Sequence, residues 1–230
     1  MATTPDTTAT PDTPAAEPVP ALPGPLAGAY GRRWRTVVDR WAGHPGTAVA
    51  TLGPAGTSSH LTAAFLAERH GLRIELCDTF DEVLGALVER RVDQALVPSA
   101  YQGATRFHWH RDLRLDAYFA QATPEYGIAA RKRDAPPGDG EVTVAALWEV
   151  RRIFADLAPP ALRDRPMRWL DAESTQHAAE LLAAGAADLA VTNAPGVRRH
   201  ALRWVVRRPG AEIVWLLFGH RRPHLRGEPE

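Results

Sequence analysis

The sequence predicts an α/β fold in which mostly parallel sheets are flanked by helices and the chain forms two similar lobes. From residue 47 onward, short apolar runs alternate with amphipathic segments, which is the pattern of strands joined by crossover helices. The two halves also resemble each other, because a helical pattern leads into a strand at 92–97 and again at 187–191. A chain of 230 residues, 45% of them hydrophobic, suits one or two compact domains with a real core.

The composition argues against several classes of protein. Lys+Arg and Asp+Glu are equal at 27 each, so no global field attracts nucleic acid or an anionic membrane. No apolar run approaches the roughly 20 residues that span a bilayer, and no export signal opens the chain. The single cysteine, Cys77, excludes an internal disulfide and fits a reducing compartment. We expect a cytoplasmic protein without nucleic-acid or membrane partners, and the sequence leaves a homodimer open.

Changes of composition and spacing divide the chain into five units. Residues 1–26 are rich in Pro, Thr and Ala without apolar periodicity, which indicates disorder, whereas Trp34, Val37 and Trp41 lie at helical spacing. The predicted units are a disordered tail over 1–26, an N-terminal helix over 27–46, lobe 1 over 47–123 with 208–222, lobe 2 over 124–207, and a flexible tail over 223–230.

The predicted elements follow in order within each lobe. Thr79 and Glu82 have capping-box spacing and open the second helix of lobe 1. In lobe 1 we predict strands at 47–52, 73–77, 93–98, 115–121 and 212–219 and helices at 58–70 and 80–90. In lobe 2 we predict strands at 127–132, 141–145, 167–171, 188–192 and 202–207 and helices at 148–157 and 174–184.

Polar side chains follow the predicted strands at their carboxyl ends, where ligands bind in open α/β sheets. Thr57, Ser58 and Ser59 fall at one helix start, where free backbone N–H groups and the helix dipole attract anions. Ser and Thr at this position also commonly serve only as helix caps, so both interpretations stay open. A second such start follows the strand at 167–171, and an Asn follows the strand at 188–192. The candidates at these two places are Ser174, Thr175, Gln176 and Asn193.

A second group of candidates lies in the irregular segment 101–111. It combines the phenol of Tyr101, the guanidinium of Arg106 and the imidazoles of His108 and His110. The two histidines alternate as on a strand, but no acid with metal-ligand spacing accompanies them, so we expect no metal. The chain contains no phosphate loop, dinucleotide fingerprint or nucleophile elbow, and we expect no cofactor.

The segment 52–60 resembles the Gly-Pro-x-Gly-Thr-Phe-Ser-His signature of prephenate dehydratases, and Ser174-Thr175 resembles their second Ser-Thr motif. The resemblance implies a two-lobed fold of the type II periplasmic-binding-protein kind, with prephenate in the cleft between the lobes. Two departures stand out. Dehydratases carry Val-Pro-Ile-Glu-Asn-Ser where this chain has 97–102, and they carry a catalytic Thr-Arg-Phe where it has Ile213-Val214-Trp215.

These departures resemble the prephenate decarboxylases of antibiotic pathways, which do not aromatise the ring. The matching pieces are 51–54, 56–59, 97–98, 100–101, 103, 123–124, 126–127, 192–193, 215 and 217–219. The resemblance implies loss of the ring carboxylate as carbon dioxide with the ring hydroxyl kept. A dehydratase and a non-catalytic acid-binding protein are the alternatives. We expect Tyr101, Arg106 and His108 to be catalytic. The expected substrate-binding residues are Thr57, Ser58, Ser59, Tyr126, Ser174, Thr175, Gln176 and Asn193.

Overall fold

The computed structural model describes residues 24–133 and 140–221. They form two lobes, each built on a five-stranded sheet, and the predicted two-lobed α/β fold is confirmed. Lobe 1 contains α1 (Gly24–Gly43), β1 (Ala48–Leu52), α2 (Ser58–His70), β2 (Arg73–Cys77), α3 (Phe80–Val88), β3 (Gln94–Pro98), α4 (Ala104–His108), β4 (Leu113–Ala122) and β10 (Glu212–His220). Lobe 2 contains β5 (Tyr126–Ala130), β6 (Val142–Ala146), a 3₁₀ turn (Trp148–Val150), α5 (Arg151–Leu157), α6 (Pro160–Arg163), β7 (Met167–Asp171), α7 (Thr175–Ala183), β8 (Leu189–Asn193), α8 (Ala194–Arg199) and β9 (Arg203–Arg208).

The two sheets have the same topology. Their strand orders are β2-β1-β3-β10-β4 and β7-β6-β8-β5-β9, so each has three parallel strands followed by two antiparallel pairings. Both sheets are therefore mixed: four of the five strands run in the same direction, as expected for mostly parallel sheets, and one strand, β10 in lobe 1 and β5 in lobe 2, runs against them. The reason lies in the connections between lobes. The chain crosses from β4 to β5 and returns from β9 to β10, so each crossing strand enters its new sheet from the cleft side, where the parallel strands end, and runs against them.

Helices cover both faces of each sheet, which places four apolar clusters around the two sheets. In lobe 1, α3 and α4 pack on one face, while α1 and α2 pack on the other around the fully buried Trp41 and Trp215. In lobe 2, α5 and α6 cover one face, and α7 and α8 cover the other. The apolar residues therefore pack in the cores of the two lobes, and the polar residues at the ends of the strands lie at the cleft.

Several boundaries and short elements differ from the sequence-based expectations. The first helix begins at Gly24, inside the tail predicted for 1–26, and ends at Gly43, before the predicted residue 46. Residues 1–23 of that tail, and all of the tail predicted for 223–230, lie outside the described residues. The strand-like spacing expected for His108 is wrong, because α4 ends there. The short helices α6 and α8 were not predicted. Within the described ranges, no helix combines the length and apolar character that a bilayer crossing requires.

Candidate active site

A cavity of about 680 Å³ lies between the two lobes, at the carboxyl ends of their parallel strands. Its interior carries hydroxyl groups from the starts of α2 and α7 together with apolar side chains from β10 and the 3₁₀ turn. The lining residues include Thr57, Ser58, Ser59, Phe80, Asp81, Tyr101, Tyr126, Trp148, Glu149, Asp171, Glu173, Ser174, Thr175, Ile213 and Trp215.

The start of α2 is closed by a reciprocal cap. Thr57 is the N-cap residue, and its hydroxyl accepts a hydrogen bond from the His60 backbone N–H (3.1 Å) while donating to the Leu52 carbonyl (2.8 Å). The His60 ring returns the contact, since its Nδ1 accepts from the Gly56 N–H (3.2 Å). Both functions of the Thr57 hydroxyl are thus structural, and the cap interpretation holds for this residue.

The start of α7 repeats this arrangement in lobe 2. The Ser174 hydroxyl accepts from the His177 N–H (3.0 Å), and His177 Nδ1 accepts from the Glu173 N–H (3.2 Å). In both lobes, a histidine three residues after the cap occupies the position of the acidic residue in a capping box. The equal spacing of Thr57 to His60 and of Ser174 to His177 was visible in the sequence, and it could have identified the two starts as a matched pair.

The matched caps leave corresponding backbone groups at the two helix starts, and Ser58, Ser59 and Thr175 line the cavity. The backbone N–H groups of the first two residues of a helix have no helical carbonyl within reach, and in α2 these residues are Ser58 and Ser59. In α7 they are Thr175 and Gln176. Two helix N-termini, one from each lobe, therefore offer backbone donors and positive dipole ends to the same space.

Tyr126 joins the two helix starts. It is the first residue of β5, directly after the chain crosses between the lobes, and its hydroxyl lies 2.7 Å from the Ser58 hydroxyl of lobe 1. Burial raises the pKa of Tyr126, and the Ser58 and Thr175 side chains, one from each lobe, lower it by a smaller amount. The phenol is therefore protonated at neutral pH, with its hydroxyl within hydrogen-bond distance of Ser58.

Gln176 and Asn193 hold the lobes together below the cavity. Both are buried, and both donate to the Gly56 carbonyl across the cleft, from Nε2 at 3.1 Å and from Nδ2 at 3.2 Å. Gln176 Nε2 also lies 2.8 Å from Asn193 Oδ1, which accepts from the Gly196 N–H and caps α8. Neither side chain lines the cavity. Their contact with a ligand stays a prediction, whereas their contact with Gly56, which the sequence did not suggest, is shown.

Of the candidates in 101–111, the structure brings only Tyr101 to the cavity. Its ring stacks on Phe80 with centroids 4.3 Å apart, and burial, with Asp81 adding to the effect, raises the pKa of its hydroxyl, while Arg106 lowers it. α4 buries the side chains of Ala104 and Phe107. The neighbouring side chains of Arg106 and His108 therefore point in other directions on the helix. Arg106 forms an ion pair with Asp81, and His108 meets the edge of the Phe218 ring. Neither Arg106 nor His108 lines the cavity, and their expected catalytic function stays a prediction.

Strand β10 contributes an apolar wall. Alternation along the strand turns Ile213 and Trp215 toward the cavity, while Val214 points away and is 37% exposed. The cavity therefore presents the hydrocarbon side chain of Ile213, the residue that the sequence resemblance sets opposite the dehydratase threonine. Over 24–133 and 140–221, no three His, Cys, Asp or Glu side chains are grouped so as to hold a metal ion.

Known proteins resemble this chain in both sequence and structure. No protein-family model matches it. A prephenate decarboxylase of Planktothrix agardhii (strain NIVA-CYA 126/8) is 33% identical over 184 residues, which are 74% of this chain and 86% of the relative. A prephenate decarboxylase of Bacillus subtilis (strain 168) is 29% identical over 74% of this chain and 85% of the relative.

Solved structures show the same fold at low sequence identity. A prephenate dehydratase from Arthrobacter aurescens, in complex with L-Phe, matches 76% of this chain and 61% of its own longer chain with a TM-score of 0.53 and 18% identity. The periplasmic VFT2 domain of Bordetella pertussis BvgS matches 81% of this chain and 86% of its own with a TM-score of 0.52 and 18% identity. The predicted fold of the periplasmic-binding-protein type is confirmed. With a relative 33% identical over most of both chains, the protein belongs to the prephenate decarboxylase family.

Proposed function

We propose that this protein removes the ring carboxylate of prephenate as carbon dioxide and leaves the ring hydroxyl in place. The product is then a dihydro-4-hydroxyphenylpyruvate, made in the cytoplasm as a precursor in secondary metabolism such as antibiotic biosynthesis. Membership of the prephenate decarboxylase family supports the substrate and the loss of carbon dioxide.

The two matched helix starts provide for binding a molecule with two carboxylates. Ser58 and Ser59 of α2 and Thr175 of α7 line the same cavity, and each helix start suits an anion. Strong binding of the departing carboxylate would stabilise the ground state and slow its loss. We therefore assign one helix start, with its Ser or Thr hydroxyls, to the pyruvyl carboxylate. The ring carboxylate then occupies a less tightly held position against the apolar wall.

The reaction needs one proton and no external electrons. When the bond between the ring and the carboxylate breaks, its electron pair forms a new ring double bond. The adjacent double bond shifts in turn, and its far carbon takes up a proton. Tyr126 is our candidate for the donor because its hydroxyl is protonated at neutral pH and lies within hydrogen-bond distance of the Ser58 hydroxyl, through which a proton can be replaced. Tyr101, stacked on Phe80 at the cavity wall, is our candidate for orienting the ring.

The observation that carries the choice of decarboxylation over dehydration is the position of Ile213 on the cavity wall. Dehydration requires an acid to protonate the leaving hydroxyl, and the resemblance to dehydratases implies that their threonine serves this function at the place of Ile213. A hydrocarbon side chain cannot donate that proton. The hydroxyl is retained, the ring stays non-aromatic, and loss of carbon dioxide is completed by protonation at carbon.

The proposal is tested by incubating the protein with prephenate and identifying the product by NMR against a sample without enzyme. We expect a dihydro-4-hydroxyphenylpyruvate together with carbon dioxide. Phenylpyruvate from the wild-type protein would assign it as a dehydratase, and unchanged but bound prephenate would assign it as a binding protein. In Ile213→Thr we expect some phenylpyruvate to appear. The matched control, Val214→Thr, places a hydroxyl outside the cavity and should keep the wild-type product.

A further inference from the structure

The rim of the cavity is acidic. Asp81 and Glu149 line it from opposite lobes, and Asp171 and Glu173 line it from the segment before α7. Among the described residues that line the cavity, none is Lys, Arg or His. Like charges repel more strongly where protein walls exclude water, so this rim opposes entry of an anion. Prephenate carries two carboxylates at neutral pH. The inference rests on the proposed function, which makes this doubly charged molecule the substrate.

Two arginines outside the lining offset part of this charge, one from each lobe. Arg106 of α4 pairs with Asp81, and Arg151 of α5 pairs with Asp171. The Arg151 side chain is 18% exposed, and its guanidinium lies 5.0 Å from the ring centre of Trp148 and 4.9 Å from that of Trp169. Trp148 itself lines the cavity and is 60% exposed, so Arg151 is held at the mouth by two aromatic rings as well as by its carboxylate partner.

We propose that Arg106 and Arg151 are positioning residues that neutralise the rim carboxylates Asp81 and Asp171 and thereby allow a dianionic substrate to bind. Neither arginine lines the cavity; they act through these carboxylates, and Arg106 acts in addition on Tyr101, whose pKa it lowers. Glu149 and Glu173 keep the rim partly acidic, so the compensation is incomplete. The Arg106 pair is more than half exposed on both sides, and solvent screening limits its effect to a few-fold change in affinity.

The test uses the complete protein and measures kcat and KM for prephenate at low and at high ionic strength. We expect Arg106→Gln and Arg151→Gln each to raise KM about two- to fivefold at low salt, with little change in kcat, and the difference to shrink as salt increases. Removing the partner as well should restore KM, in Arg106→Gln/Asp81→Asn and in Arg151→Gln/Asp171→Asn. The matched control is Arg152→Gln, since this neighbour is 83% exposed and pairs with Asp156 along its own helix.

The double variants separate charge compensation from other functions. If either arginine contacted the substrate or only stabilised the fold, removing its aspartate would not restore KM, and that result would overturn the inference. An unchanged KM in the single variants would overturn it as well. If an arginine variant fails to fold, Asp81→Asn and Asp171→Asn alone should still lower KM at low salt. Failure of the proposed function is seen in the wild-type product, whereas failure of this inference is seen only in the comparison of variants.

Discussion

Gly56 connects the two lobes, and replacing it with alanine tests whether that connection sets activity. Its φ of +99° lies in the region that favours glycine, so Ala at this position costs about 1–3 kcal/mol of backbone strain. The new Cβ would lie 3.2 Å from Gln176 Cδ and 3.3 Å from its Oε1. Gln176 must therefore shift, which weakens the hydrogen bonds that Gln176 and Asn193 make to the Gly56 carbonyl, each worth about 1 kcal/mol.

We expect Gly56→Ala to lower the free energy of unfolding by about 2–4 kcal/mol and to raise KM for prephenate, because the lobes no longer close in register around the cavity. Gly71→Ala is the matched control. Gly71 ends α2 with a φ of +65° and nothing lies within 4 Å of its added Cβ, so it carries the strain without the collision. It should lose about 1 kcal/mol and keep the wild-type KM.

Urea unfolding and steady-state kinetics on both variants measure these effects. A second check compares the single variants Gly56→Ala and Gln176→Ala with the double variant that combines them. Because the collision disappears when the glutamine is shortened, the double variant should be less destabilised than the sum of the two single changes. Equal losses of stability and equal KM values in Gly56→Ala and Gly71→Ala would refute the reasoning, since strain alone would then explain the effect.

Two further predictions concern the tyrosine at the cavity and the histidines of the fold. Tyr126→Phe keeps the ring but removes the hydroxyl, so kcat should fall about 100-fold or more while the fold is retained. The control is Tyr118→Phe, whose ring lies on the partly exposed surface and which should keep the wild-type rate. An unaltered rate in Tyr126→Phe would exclude Tyr126 as the proton donor. Burial, with a smaller contribution from nearby arginines, lowers the pKa of His60 and of His220 below 6.5. On acidification the unfolded chain therefore binds protons that the folded protein does not. The free energy of unfolding should fall as pH decreases from about 7.5 to about 5.5. Urea titrations across that range should show the loss, and an increase in stability on acidification would contradict the assignment.

The regular elements of the fold were largely predictable from local patterns. The strands at 73–77 and 167–171 and the helix at 58–70 match their predicted bounds, because a buried strand or an amphipathic helix carries its periodicity in consecutive residues. The cap at Thr79 was also correct, since Glu82 N–H donates to its hydroxyl at 3.1 Å. The short helices α4, α6 and α8 escaped prediction because four to six residues are too few to establish a helical period.

The candidate site was only partly predictable for a different reason. The helix starts at Thr57 and Ser174 were identified because capping chemistry is local. The grouping of Tyr101 with Arg106 and His108 relied on closeness along the chain, and a single turn of α4 directs the latter two away from the cavity lining.

The sequence by itself determined the α/β class, the two-lobed pattern and, through its motifs, the family. Only the tertiary structure decided that the sheets are mixed, that Tyr126 of lobe 2 meets Ser58 of lobe 1, and that Gly56 is held from the other lobe by Gln176 and Asn193. The physical reason is that periodicity and capping act over a few residues, whereas contacts across the cleft join residues 68 to 137 positions apart. Their geometry follows from how the two lobes pack and not from any local pattern.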